Sequence, residues 1–461
     1  MRKLELSPTD DNIITTLNEN ILGRNTELGY FLELLNHVED AYSIAIDGKW
    51  GSGKTFFVKQ AKLALEACNG FIPMKDEQRV DIKETLSSVT KVDELQLQYP
   101  IYYDAWEHDS DIDPILSLIY SIIEAYDYFE SFDVEFKTAL FDVGQKIIDK
   151  VVPGSETVLT TLSELFKTSN ILEGQKNKET LKDDIQAFLH SLIHENGNRL
   201  VIFIDELDRC RPDFSVKLLE RIKHYFVDEQ ITFVFSVNLE ELSNTVRHFY
   251  GESFNAGRYL GRFFDLIVKL HPVDLDNYYN KIGLRERYYY DYAIRTVCSS
   301  FQFELRDIIR FISASQLLKD TINKIPNMMF GDMNQRDALT FCGFFVVPIM
   351  LGINIVQPEL YEKFIRGEDT HLFVTAIKNM NQNDMLGLGT ILLNDKETFS
   401  PTETDKKIID IEKRADSLYQ ALFGSKNEDE IVVGKLTINQ GVRNKLLEIS
   451  SLLSNFSDFK K

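Results

Sequence analysis

Ser43–Val58 reads SIAIDGKWGSGKTFFV, and this stretch decides the fold. Ile44 and Ile46, with Ala45 between them, form a short apolar alternation, the pattern of a buried strand. The strand runs directly into Gly48-Lys49-Trp50-Gly51-Ser52-Gly53-Lys54-Thr55, a complete Walker A motif. Its three glycines let the backbone turn with N–H groups facing inward around phosphate oxygens. Lys54 supplies a mobile positive charge, and Thr55 can place its hydroxyl on a magnesium ion. Phe56, Phe57, Val58 and Ala61 continue at helical spacing, so strand, loop and helix come in the order a nucleotide site requires. Gly48, Trp50, Gly51, Ser52, Gly53, Lys54, Thr55 and Phe56 are therefore the expected contacts for ATP or another nucleoside triphosphate.

Working outward, the partner of this loop is the continuous apolar run Leu200–Ile204, which ends in Asp205-Glu206. That is a Walker B pattern. Asp205 at the strand end can hold the water shell of magnesium near Thr55, and Glu206 can orient and deprotonate a water for attack on the γ-phosphate. Asp208, Arg209 and Arg211 extend the charged edge, or form a salt-bridged turn before a helix over Ser215–Phe226. A further strand, Ile231–Val237, ends in Asn238. Its amide either holds the attacking water and the γ-phosphate, the role called sensor 1, or caps the helix Leu239–His248. An Asp-Glu strand followed by a separate strand with a terminal Asn marks the P-loop branch with an added strand and a glutamate catalyst.

Other candidates flank this centre. Pro100–His108 reads as a strand that ends in polar residues, and Asp104, Trp106, Glu107 and His108 either line the ligand crevice or end the strand at the surface. Arg258 and Arg262, four residues apart, lie on one helical face. They are arginine-finger candidates, in cis or from a neighbouring subunit, or ordinary surface ion-pair residues. Arg306, in a helix over Leu305–Leu318, is a candidate to reach the nucleotide as a sensor 2 residue or lies on a solvated face.

The expected fold class is α/β: a parallel sheet flanked by helices, with a helical insertion and an all-α C-terminal region. Residues 1–20 are polar and read as an arm, and residues 21–275 form the nucleotide domain with the insertion at about 110–180. Residues 276–461 form a helical lid and C-terminal domain. At 461 residues two or more units are expected. The net charge of −21 argues against broad nucleic-acid affinity, which needs clustered lysine and arginine, and leaves only a local basic groove open. Cys68, Cys210, Cys298 and Cys342 are scattered without CxxC pairing, which suits a reducing cytoplasm and offers no zinc site. The N-terminus lacks the apolar core of a secretory signal. Leu339–Val356 is uncharged and just long enough to cross a bilayer. Gly343, Pro348, Gly352 and Asn354 interrupt it and no basic cluster marks a flank, so a buried helix pair is expected rather than a span.

Taken together, Gly48–Thr55, the Tyr102–Trp106 strand, Phe203–Pro212 with its Asp-Arg-Cys, Ser236-Val237-Asn238, Tyr259-Leu260 and Leu305-Arg306-Asp307 resemble the KAP family of P-loop NTPases over roughly residues 20–315. The resemblance implies an added-strand α/β core with a helical insertion between the Walker motifs, magnesium-dependent nucleotide hydrolysis, and Asp208 and Arg209 as part of a signature edge. Family members usually carry Asp-Asp where this chain has Asp205-Glu206, a change that keeps an acid in the catalytic slot. Many carry membrane spans in the insertion, whereas Ile112–Lys167 is broken by charge throughout. That places the chain with the soluble bacterial branch, some of whose members act in exclusion of phage. The leading expectation is a cytoplasmic ATPase driving conformational change in an assembly, as a homo-oligomer or with a separate effector. The alternatives are a slow-hydrolysing nucleotide-bound scaffold and a DNA-engaging motor.

Overall fold

The computed structural model describes residues 7–111, 113–127, 185–186, 188–189, 193, 198–225, 228–284, 288–321, 338–381, 388–392, 404–424 and 429–458. They divide into two compact units, Leu6–Asn277 and Tyr278–Lys461.

In the first unit the expected strands form over Tyr42–Asp47 (β1), Gln98–Asp104 (β2), Arg199–Asp205 (β3) and Ile231–Val237 (β4), and a fifth that the sequence reading did not single out forms over Leu266–Lys269 (β5). They make one parallel sheet in the order β2-β3-β4-β1-β5. The strand carrying Asn238 at its end thus lies between the Walker A and Walker B strands. All seven residues of β3 and of β4 are buried, which is why both read as predominantly apolar rather than as alternations. Ala45, Ile202, Ile204, Phe233 and Phe235 face one core. Ile44, Ile46, Val201, Phe203 and Val234 face the other. Burial of each such side chain contributes about 1.5–3 kcal/mol.

Helices cover both faces. Asp10–Asn18 (α1), Asn25–Asn36 (α2), Lys54–Cys68 (α3) and Asp76–Ser87 (α4) serve the Ile44 face. Pro114–Asp127 (α5), Pro212–Tyr225 (α6) and Leu239–Tyr250 (α7) serve the other, and a short helix, Ala256–Leu260 (α8), precedes β5. Two expectations change here. The polar segment 1–20 contains α1, whose Ile13, Thr16 and Leu17 are buried: three inward residues at i, i+3 and i+4 suffice to seat an otherwise polar helix. The charged stretch before Leu97, which by its weak periodicity reads as a surface excursion, likewise contains α4, seated by Ile82 and Leu86. The insertion expected at about 110–180 lies largely outside the described residues. Its beginning, α5, packs into the sheet core through Ile115, Leu118, Ile119 and Ile122.

The second unit is helical, with Tyr289–Ser300 and Leu305–Thr321 as expected. It is not all-α. Glu430–Val433 and Leu436–Asn439 form an antiparallel hairpin closed at Gly434, whose φ of 58° suits glycine. Strands of four residues are too short to leave a periodic signature. The apolar segment is one continuous helix over Ala338–Val356, long and apolar enough to cross a membrane by length and composition, and not the expected pair. A π turn at Cys342–Val346 includes Gly343, and Pro348, which has no N–H to give the helix, follows it after Val347. Phe344, Ile349, Met350 and Ile353 are among its buried residues.

Candidate nucleotide site

The loop after β1 is built for an anion. Gly51 and Gly53 have φ of 86° and 88°, which side-chain-bearing residues rarely adopt. A Cβ on Gly48 would lie 2.8 Å from Ser52 Oγ, so that position must remain bare. The loop is tied to β4 at both its backbone and its entry: the Gly48 N–H donates to Val237 O at 3.2 Å, and the Leu239 N–H donates to Asp47 Oδ1 at 3.0 Å. Lys54 is 8% exposed and donates to Gly48 O at 2.6 Å and Lys49 O at 3.1 Å. Burial lowers the pKa of its amine, while Asp208, Asp205 and Glu206 oppose that shift. Ser52 Oγ is buried and makes no hydrogen bond. A buried hydroxyl of this kind, together with the opening N–H groups of α3 at Lys54, Thr55 and Phe56, fits a phosphate group. The Phe56 side chain packs into the core, 6% exposed, so its contribution is the backbone N–H.

The acidic side of the site comes from β3. Asp205 is 1% exposed, and its two oxygens accept from Tyr102 O–H at 3.0 Å and from the Glu206 N–H at 3.0 Å. Glu206 takes the left-handed conformation, with φ of 61°, at a cost of about 1–3 kcal/mol that the surrounding contacts must offset. One 3₁₀ turn, Leu207–Arg209, then brings Arg209 back to pair through Nε with Glu206 Oε2. Glu206 Oε1 accepts from Thr55 Oγ1 at 3.4 Å, which links the Walker B turn to the Walker A loop. Burial pushes the Glu206 carboxyl up to about 7, with Asp205, Asp208 and Asp104 reinforcing the shift and Arg209 opposing it. Burial also raises Asp208, against the pull of Lys54 and of the Trp50 indole, which donates to Asp208 Oδ2 at 2.5 Å. A hydroxyl and a strand-end carboxylate beside a phosphate cradle are the donor set that suits magnesium, which prefers one or two carboxylates plus substrate phosphates.

Asn238 caps α7: its Oδ1 accepts from the Glu240 N–H at 3.1 Å and the Glu241 N–H at 3.4 Å. The cap orients the side chain at the sheet edge and leaves the amide N–H groups for a ligand. Beyond β2, Asp104 Oδ1 accepts the Trp106 and Glu107 N–H groups, so it closes a turn. His108 bonds Asp111 at 3.2 Å and stacks on Tyr103. All four cysteines are free, and burial raises Cys68 to about 11.

Lys54, Thr55, Asp205, Glu206 and Asn238 therefore meet at the C-terminal ends of three adjacent strands, the crevice where open α/β sheets bind ligands. Arg258 and Arg262 do not join them. Asp265, just beyond them, accepts from the Ser43 N–H at 2.9 Å, at the opposite end of β1 from the loop. The intervening strand spans about 17 Å. The two do not share a helix face either, because α8 ends at Leu260 and Arg262 lies past it. Arg306 belongs to the second unit, exposed on its helix.

Sequence reasoning passed over Arg24. It is 5% exposed and donates through Nη2 to His271 O at 2.5 Å. A Cβ on Gly53 would lie 3.4 Å from its Nη1, so this guanidinium walls the Walker A loop. The available signal was an arginine inside the apolar run Ile21-Leu22-Gly23-Arg24. Tyr102 was passed over as well, its hydroxyl concealed in a strand that reads as core.

A parallel sheet with β4 between the Walker A and Walker B strands, and a phosphate cradle facing an Asp-Glu turn, defines a P-loop NTPase of the added-strand branch. The chain belongs to the KAP family: the KAP family P-loop domain matches residues 24–316. Membership implies nucleotide binding. No curated protein matches the chain. Among solved structures it is similar to the ORC2 protein of Aeropyrum pernix in ADPNP–ADP complexes, at 12% identity over 89% of this chain and 94% of that one, with a TM-score of 0.29.

Proposed function

We propose that the chain is a magnesium-dependent ATPase that couples hydrolysis to a change of conformation or assembly. The observation that carries the reading is the convergence of Lys54 and Thr55 with Asp205 and Glu206, through the Thr55–Glu206 contact of 3.4 Å. Lys54 and the loop amides bind the polyphosphate. Thr55 and Asp205 would hold magnesium, which when bound neutralises phosphate charge. Glu206 accepts the proton of the attacking water, and Asn238 donates to that water or to the γ-phosphate. The position of Arg258 and Arg262 favours a finger supplied in trans by a neighbouring copy over one acting in cis. A role in exclusion of phage, in the cytoplasm of a bacterium, rests on the family resemblance and belongs to the same proposal. So does the sensor 2 role of Arg306.

The deciding experiment is phosphate release by wild type and Glu206→Gln, with mass-resolved gel filtration of each with and without ATP. Glu206→Gln is expected to keep nucleotide binding and to lose about 10²- to 10⁴-fold in turnover. Wild type that binds ATP and releases no phosphate would overturn the ATPase reading in favour of a nucleotide-held scaffold. Phage plating on cells carrying either form separates a function that needs turnover from one that needs only binding.

A further inference from the structure

The nucleotide reading leaves Arg209 without a role, yet its contacts are specific. The left-handed turn at Glu206 and the single 3₁₀ turn after it set Arg209 against the Glu206 carboxylate, where Nε pairs with Oε2. The two side chains are only 21% and 16% exposed, so water screens the pair less than it would at an open surface. The guanidinium also lies over the Trp106 ring, 5.4 Å from its centroid. Trp106 is held in turn by its own backbone N–H, which donates to Asp104 Oδ1 at 3.1 Å. Its ring is 53% exposed, so it forms the outer layer of the stack. On the inner side, Glu206 Oε1 accepts from the Thr55 hydroxyl. Both oxygens of the carboxylate are thus engaged by protein groups.

We propose that Arg209 is a positioning residue that latches Glu206 away from its water-activating position, and that Trp106 is the support that keeps the latch closed. The proposal rests on Glu206 being the water-activating residue. Stacking on the indole restricts the arginine to rotamers that reach Oε2, so the ion pair forms with little further ordering. The latch opens when a stronger anion competes for the guanidinium. A nucleoside triphosphate is that anion. Arg209 is close enough to Lys54 for the two cations to repel, so a polyphosphate drawn to Lys54 also draws Arg209 off the carboxylate. Thr55 would help to hold magnesium, and a hydroxyl so used would no longer donate to Glu206 Oε1. The triphosphate shifts the latch toward its open form without emptying the closed one, so the pair holds kcat below the value an unlatched Glu206 would give.

The test uses the full chain as wild type, Arg209→Ala, Arg209→Lys, Trp106→Ala, Trp106→Phe and Glu206→Gln. Turnover, KM and the intrinsic fluorescence of Trp106, taken as the difference between wild type and Trp106→Phe, are measured for each. Arg209→Ala is expected to raise kcat about fivefold with KM unchanged, the size of a modest ion pair. It should also shift Trp106 emission before any nucleotide is added. Arg209→Lys keeps the charge and is expected near wild type. Trp106→Ala gives a smaller rise than Arg209→Ala, and Trp106→Phe restores the wild-type rate. A fall or no change in kcat for Arg209→Ala, with Glu206→Gln inactive, overturns the latch and leaves the ATPase reading standing. Wild-type turnover by Glu206→Gln overturns Glu206 as the water-activating residue and the latch with it, whereas no phosphate release by wild type overturns the ATPase reading itself. Should Arg209→Ala lack a cooperative melt, Trp106→Ala decides: a rise supports the latch and an unchanged or lower rate overturns it.

Discussion

The two ends of the same five strands obey different rules. At their N-terminal ends, with the buried Gln98 Oε1 as an exception, polar groups have protein partners: Arg199 donates to Asp40 O at 3.0 Å and to Thr232 Oγ1 at 2.9 Å, and the hydroxyls of Tyr250 and Tyr259 share Glu220. An aromatic ladder through Phe254, Tyr259 and Phe263 closes that edge. At the C-terminal ends lie two left-handed glycines, a left-handed glutamate, a buried lysine, a buried serine hydroxyl without a partner, and carboxyl groups raised by burial. Such departures are tolerated where a ligand or a reaction uses them. One feature breaks the symmetry of the contrast: Arg258 and Arg262 sit at the satisfied end, and among the described residues neither makes an ion pair.

If the C-terminal end is the working end, damage there should dominate. Lys54→Ala removes the buried lysine of the Walker A loop and is expected to abolish nucleotide binding, measured by titration calorimetry with ATP. Retained affinity would mean that the loop amides and Ser52 suffice. The two arginines sharpen the comparison from the other side. If they complete a neighbour's site, replacing both with alanine should lower turnover by roughly 10³- to 10⁵-fold while leaving affinity and fold untouched. Mixing that variant with Glu206→Gln should then recover activity, because each chain supplies what the other lacks. No recovery, or no loss, would return both residues to the surface. Tyr102→Phe removes only the hydroxyl that aims Asp205, a hydrogen bond of 3.0 Å. It is expected to cost about 1 kcal/mol of stability and to weaken the magnesium dependence of turnover without affecting binding of the nucleotide alone.

Much of this was legible because the same physics wrote both patterns. A sheet covered on both faces demands mostly apolar strands, and β3 and β4 announced themselves by the runs Leu200–Ile204 and Phe233–Phe235. The Walker residues were legible because phosphate and magnesium chemistry tolerates few substitutes for glycine, lysine and a strand-end aspartate. Groups that act through a neighbour left no such trace. Arg209 reaches Glu206 only because Glu206 turns left-handed, which no spacing rule foretells for a glutamate. Arg24 and Gly53 meet across 29 residues of chain, and an arginine before a helix reads as solvated until its burial is seen. The helical face that seemed to unite Arg258 and Arg262 failed because Gly261 ends α8 between them. Local periodicity extends a helix through any residue that fits, and tertiary packing decides where it stops.

The smallest expected effect tests whether the strand-end edge beside the site is held by charge or by packing. His108 follows β2, bonded through Nδ1 to Asp111 at 3.2 Å, through Nε2 to Ser121 Oγ at 3.4 Å, and stacked on Tyr103 with centroids 5.1 Å apart. The Asp111 hydrogen bond raises the imidazole above its ordinary value, against the effect of burial. Asp111 is lowered in return: burial alone would raise it, and the bonds from His108 and Ser117 outweigh that. A raised histidine contributes stability that is fully present below its unfolded pKa, near 6.5, and is lost as pH rises through the folded value. A lowered aspartate contributes above its unfolded pKa, near 3.9, and loses that contribution as pH falls. The charged pair therefore adds most between about pH 4 and pH 6.5. His108→Asn should lower the melting temperature more at pH 5.5 than at pH 8, with a difference under about 1 kcal/mol because both side chains are partly exposed. An equal loss at both pH values would assign the edge to the Tyr103 stack, and the contrast between the two ends of the sheet would then rest on the Walker residues alone.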